Sequence, residues 1–151
     1  MKQKTMLILC LAVIFGQIFV QNGHCGGGPI VAVYWLNGRL TAMLAKGHSS
    51  SIAIAISGST LHIVGRYGYD DVAVYWINGE MTVLPTTGNS ARAWAVAVSG
   101  SDVYIAGQDG DDAVYWLNGR RTALPKTGSS ASAYAIAVSG SDVYIAGSDD
   151  T

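Results

Sequence analysis

Three histidines, one glutamate and one acidic loop are the groups in this chain whose types and spacing suggest chemistry. His24 belongs to the processing region, and His48 and His62 have no carboxylate or cysteine partner at metal-ligand spacing, so those two read as ordinary strand or loop residues. Glu80 is the only glutamate, which leaves no glutamate pair for acid–base work. The serines lie in turns and lack the G-x-S-x-G context of a nucleophile elbow. The loop "DGDD" at 109–112 offers Asp109, Asp111 and Asp112 as oxygen ligands for Ca²⁺. It has neither EF-hand nor nonapeptide spacing, and Asp and Gly are also what a tight strand connection requires. The expectation is therefore no catalytic residue, no enzyme and no cofactor.

The aromatic residues are more informative, and they belong to a repeat. "AVYWLNGR" stands at 32–39 and again at 113–120, with "AVYWINGE" between them at 73–80. "AVSGSDVYIAG" at 97–107 returns letter for letter at 137–147, with a looser copy, "AISGSTLHIVG", at 55–65. Strand A changes at one register, where Ile52, Trp94 and Tyr134 follow one another, preceded by Ser50, Arg92 and Ser132. Trp94 with Arg92, together with Tyr134, is the candidate ligand site, because amphipathic rings stack on sugars and other flat ligands. The alternative is that Trp94 fills an irregular gap in the core. Trp35, Trp76 and Trp116 recur with Tyr34, Tyr75 and Tyr115 in apolar company and read as core. Arg39, Arg120 and Arg121, beside Asn-Gly pairs, read as solvated.

The elements that hold these residues are strands. In the second copy "ARAWAVAV" leads through "SGSD" to "VYIAG", then "QDGDD", "AVYWL", "NG" and "RRTALP". The runs are short, β-branched and aromatic, bounded by Gly, Ser, Asn and Asp. Asn-Gly at 37–38, 78–79 and 118–119 is the strongest short-range hairpin signal. Each unit of about forty residues is thus a meander of four strands, A to D, and no stretch after the leader reads as a helix. Strands B and C are apolar on both faces, as in a sheet sandwiched between layers. Strand A is expected to place Ala93, Ala95 and Ala97 on one face, echoed by Ala133, Ala135 and Ala137, which permits close approach at an axis. "TTGNSA" (86–91) is long enough to step from an outer to an inner strand.

These features predict an all-β fold of β-propeller blades, with the β-trefoil as the alternative. The YW-x-NG unit with "AVSGSDVYIAG" resembles the repeat of exported bacterial β-propeller-like proteins over residues 30–151. That resemblance implies a fold and export, and it transfers no catalytic residue. Strands are expected in the order CD (30–45), ABCD (51–85), ABCD (91–125), AB (131–148). Three blades are too few to close a ring. A homodimer in which the AB of each chain pairs with the CD of the other would give six blades and leave no open edge. The other possibility is a fragment of a longer propeller.

Residues 1–25 read as a signal peptide, since Lys2 and Lys4 precede the apolar run Met6–Val20. That run is short for a membrane span. Cleavage is expected within 23–28, with residues 26–29 as a Gly-rich linker. Cys25 in "GHCGGG" raises a lipid anchor, although His24 departs from the usual small, apolar lipobox. Cys10 and Cys25 supply no internal disulfide framework after cleavage. Half the residues are apolar and 13% charged, which excludes disorder. Without Lys2 and Lys4, seven basic residues face ten acidic ones, a net charge of −3 with no basic patch, so nucleic acid is not an expected partner. The function that follows is an exported, secreted or periplasmic or cell-surface, non-enzymatic binding module, oligomeric and lectin-like, with a glycan as the ligand class. The rival is a structural or protein-interaction scaffold.

Overall fold

The structure is a computed structural model that describes residues 10–14, 17–21, 30–43 and 47–150. The expected cleavage region, Cys25 and the Gly-rich linker lie outside the described residues. Part of the expected leader carries a separate antiparallel pair, β1 (Cys10–Ile14) with β2 (Gln17–Gln21). No helix among the described residues is long and apolar enough to cross a membrane.

The rest is all-β and antiparallel. A two-stranded sheet, β3 (Val33–Leu36) and β4 (Arg39–Ala42), comes first. A four-stranded meander follows: β5 (Ser49–Ser57), β6 (Thr60–Tyr67), β7 (Val72–Ile77) and β8 (Glu80–Val83). A second one comprises β9 (Ala91–Ser99), β10 (Asp102–Asp109), β11 (Asp112–Leu117) and β12 (Arg120–Ala123). The chain then forms a last pair, β13 (Ala131–Ser139) and β14 (Asp142–Asp149). None of these sheets closes on itself.

Local chemistry explains the turns. Asn37, Asn78 and Asn118 adopt φ of 50°, 49° and 50°, each followed by a glycine at positive φ, as a two-residue type I′ hairpin demands. The asparagine side chain also ties the turn to the neighbouring strand. Asn118 Oδ1 accepts from the Val103 N–H at 2.9 Å, and Asn78 Oδ1 from the Leu61 N–H at 2.8 Å.

The sheets pack face to face, which is why strands B and C are apolar on both sides. Between the first hairpin and the first meander, Ala32 and Met43 meet Ile63, Val74 and Trp76. Between the two meanders, Val64, Tyr75 and Leu84 meet Ala93, Ile105, Val114 and Trp116. The last hairpin brings Ala131 and Ala133 onto Ala106 and Ala113. Two of the strands A lie on strands A, B and C of the preceding sheet: β9 contacts β5, β6 and β7, and β13 contacts β9, β10 and β11.

One expectation about strand A is corrected. Pairing of β9 with β10 runs from Ala93↔Gly107 to Ala95↔Ala106, so Trp94 is an extra residue and the strand bulges there. The same insertion occurs at Ile52 in β5 and Tyr134 in β13. A bulge interrupts the two-residue alternation. Ala93 consequently packs toward the preceding sheet, with Tyr75 and Ile105, while Ala95 packs toward the following one, with Ala106 and Ala131. The three alanines do not share a face.

The bulge also dictates a glycine. A Cβ on Gly107 would stand 2.1 Å from the Arg92 carbonyl oxygen and 2.8 Å from the Trp116 ring. At Gly65 and Gly147 it would stand 1.9 and 2.0 Å from the Ser50 and Ser132 carbonyls. The last letter of "YIAG" is therefore fixed by backbone approach.

Candidate functional site

The bulges fall at the register where strand A carries its largest change between copies. The extra residue in β5, β9 and β13 is the variable register: Ile52, then Trp94, then Tyr134. Bulges re-aim side chains out of the ladder alternation, so these three positions are released from the pairing that constrains their neighbours. Ile52 lines a cleft of about 240 Å³ between β3 and β5, together with Tyr34, Trp35 and Ile54.

Trp94 and Tyr134 stand edge to face, with ring centroids 6.1 Å apart, and the Arg92 guanidinium carbon lies 5.9 Å from the Trp94 ring centroid. The three residues that sequence reading grouped as a ligand site are thus adjacent across two sheets. Arg92 is anchored by the Asp71 carboxylate, which also pairs with Arg66 at 2.6 Å. Burial alone would raise the Asp71 carboxyl, but the hydrogen bonds from Arg92 and Arg66 outweigh it and hold it below the usual range. Tyr134 is 52% exposed. Its hydroxyl accepts from Ser148 Oγ at 3.3 Å, and contacts with Ser148 and Ser132 lower its pKa. The Trp94 indole N–H is buried and has no hydrogen-bond partner among the described residues, an unusual condition for a buried donor.

The acidic loop has a different occupation from the one sequence suggested. The Asp109 carboxylate is buried and accepts from the Thr87 and Gly88 N–H groups at 2.8 and 2.9 Å, from Thr87 Oγ1 at 3.0 Å, and from Arg121 Nε at 2.5 Å. Burial would raise its pKa, but these donors hold it below the usual carboxylate range. Asp149 repeats the arrangement with Thr127 and Gly128. Asp112 pairs with Lys126 at 3.0 Å and Arg121 at 3.3 Å, and the Asp111 carbonyl accepts from Lys126 Nζ at 2.9 Å. Among the described residues no group of three or more His, Cys, Asp or Glu side chains is placed to hold a metal ion. Arg121 is therefore no solvated side chain: it bridges two carboxylates and is only 17% exposed.

Two histidine–tyrosine pairs were not legible in the sequence. His62 Nδ1 and the Tyr75 hydroxyl share a buried hydrogen bond of 2.5 Å with their rings nearly parallel. Burial lowers the His62 pKa and raises that of Tyr75, which favours both neutral forms. His48 Nε2 bonds to the Tyr69 hydroxyl. The available signal was that His62 occupies the register of Tyr104 and Tyr144, a position facing the next sheet. The His48–Tyr69 pair shares a cleft with Ser49, Ser50, Arg66 and Asp71, and the Asp71 carboxylate there is engaged by Arg66 and Arg92. Comparison with protein-family models, curated proteins and solved structures found no match for this chain.

Proposed function

We propose that this chain is an exported, non-enzymatic binding module assembled from β-propeller blades, with a glycan as its ligand class. The observation that carries the ligand site is the bulge row. At one register of otherwise near-identical copies, the ladder releases a side chain, and two of the three are aromatic, adjacent and flanked by an anchored arginine. Flat apolar rings beside Arg92 and the hydroxyls of Ser132, Ser148 and Tyr134 suit the alternating apolar and hydroxylated faces of a sugar. The absence of a catalytic grouping from the sequence reading supports binding over turnover.

The blade reading is supported by how the sheets fan. Strands β5, β9 and β13 contact one another in succession, while β4, β8 and β12 have no comparable mutual contact. Inner strands that converge while outer strands diverge suit wedge-shaped blades about an axis. A β-trefoil instead pairs hairpins into a barrel, and the two full units here are open four-stranded sheets. Export rests on Lys2, Lys4 and the apolar run that follows them.

A glycan array probed with the purified protein, with Trp94→Ala as the control, tests this reading. Binding to particular glycans that Trp94→Ala weakens at least tenfold is the expected result. No binding, or binding indifferent to Trp94, would favour a scaffold without a small-molecule site.

A further inference from the structure

The two terminal hairpins carry the same letters as the interior strands but not their surroundings. Trp76 and Trp116 are 0% exposed, whereas Trp35, at the same place in β3, is 63% exposed. "DVYIAG" is largely buried in β10 and exposed in β14, where Tyr144 is 59% exposed and Ala146, unlike Ala106, faces solvent. Inside the chain, these two sequences are partners. β10 lies along β11 in the register Tyr104↔Leu117, Ile105↔Trp116, Ala106↔Tyr115 and Gly107↔Val114. β14 duplicates β10, β3 duplicates β11, and in this chain they belong to separate sheets.

We propose that β14 of one copy pairs with β3 of a second copy, in the register that β10 and β11 already use. Tyr144 then lies opposite Leu36, Ile145 opposite Trp35, Ala146 opposite Tyr34 and Gly147 opposite Val33. Three further contacts follow from the repeat. Asn37 Oδ1 accepts from the Val143 N–H of the other copy, as Asn118 does from Val103 and Asn78 from Leu61. The Trp35 indole donates to the Pro125 carbonyl of the other copy, as Trp116 donates to Pro85 at 2.8 Å, a bond that Trp76 at the same place does not make among the described residues. The β13–β14 hairpin enters the cleft between β3 and β5.

That cleft is the strongest sign of the occupant. β9 and β13 each rest on strands A, B and C of the sheet before them, but β5 meets only β3, because β3–β4 lacks an A and a B strand. The apolar lining of Val33, Trp35, Ile52 and Ile54 stands open where those strands belong. Along the β3 edge, the Val33 carbonyl accepts from Ser51 Oγ at 2.8 Å, a contact that a ladder strand would replace. A second copy fits because it presents, in Asp-Val-Tyr-Ile-Ala-Gly, the same sequence that pairs with Val-Tyr-Trp-Leu in β10–β11. Two reciprocal pairings close both edges of both chains.

The inference shares the blade reading with the proposed function but is independent of the ligand. Directly opposed residues in an antiparallel pair lie about 4.5–5.5 Å apart at Cα, within disulfide reach. In a Cys10→Ser, Cys25→Ser background, a chain carrying Leu36→Cys is mixed with a chain carrying Tyr144→Cys and oxidised. Both positions are exposed in the single chain, at 61% and 59%, so neither change threatens the fold. A disulfide-linked pair is expected, formed at least tenfold more than with Val143→Cys, one residue out of register. Equal linking at 143 and 144, no linking at all, or a doubly substituted chain that links only to itself would overturn the proposal. Trp35→Lys gives a second arm: it is expected to shift the solution mass from two chains to one while the β-sheet circular dichroism persists. A two-chain mass retained by Trp35→Lys contradicts the proposal. Failed linking alongside intact glycan binding would sink the closure and leave the ligand site standing.

Discussion

β10 and β14 begin with the same six residues, Asp-Val-Tyr-Ile-Ala-Gly, and one strand is core while the other is surface. The same holds for Trp116 and Trp35 on the other half of the repeat. Burial in a stacked-sheet protein is set by the neighbours on either side and not by the strand itself. The exposed apolar residues of β3 and β14 are the ones that the proposed pairing of two copies would cover.

Substitutions that act differently on interior and terminal copies sharpen this contrast. The largest effect is expected at the bulge glycine. Gly107→Ala drives a Cβ into both the Arg92 carbonyl and the Trp116 ring, and should cost about 4 kcal/mol or more. Gly147→Ala meets the Ser132 carbonyl as closely, and the Ala133 Cα, but no buried ring, and it lies on the exposed hairpin, so urea titration should find it less damaging. Equal losses would mean that the bulge, not the stack, dominates.

Trp116→Ala should lose about 3–5 kcal/mol, the usual range for emptying a buried tryptophan site. Trp35→Ala should leave the unfolding of the single chain nearly unchanged and weaken only the association between chains. Denaturant melts at several protein concentrations separate the two, since only association depends on concentration.

Asp109→Asn should destabilise by about 3 kcal/mol, because it removes the buried carboxylate that accepts from Thr87, Gly88 and Arg121 and leaves the Arg121 charge with the more exposed Asp112 alone. The exposed Asp149→Asn should matter far less. The pH dependence has a definite sign. A carboxylate whose folded pKa is depressed contributes stability above its unfolded pKa and loses it as pH falls through the folded value. Stability should therefore drop as the solution is acidified below about pH 4, and Asp109→Asn should flatten that slope. An unchanged slope would show that Asp109 is not the responsible group.

A smaller stability effect than at Gly107, Trp116 or Asp109 is expected at the bulge row. Trp94→Ala should cost no more than about 1–2 kcal/mol, since the ring is only half-buried and its N–H is already unpartnered. Its effect should appear in ligand binding.

Much of the strand order was legible in the letters. The Asn-Gly turns, the apolar B and C strands and the repeat together led to the meanders and to the two incomplete ends. The bulge was not legible, because a two-residue period assigns Ala93, Ala95 and Ala97 to one face and an inserted residue leaves no mark in composition. Its trace was the Gly at the end of "YIAG", which pattern reading takes for a turn. Arg121 looked solvated because its partner Asp109 lies two strands away in the sheet, a neighbour that only register reveals. Trp94, Arg92 and Tyr134 were picked out by their difference between copies, and their adjacency depends on how β9 and β13 stack.

The most direct test of the claim that the terminal hairpins are two halves of one sheet is the mass of the purified protein in solution, by light scattering after size exclusion. The account predicts a stable two-chain particle that falls to one chain with Trp35→Lys. A compact single chain, monodisperse at all concentrations, would contradict it.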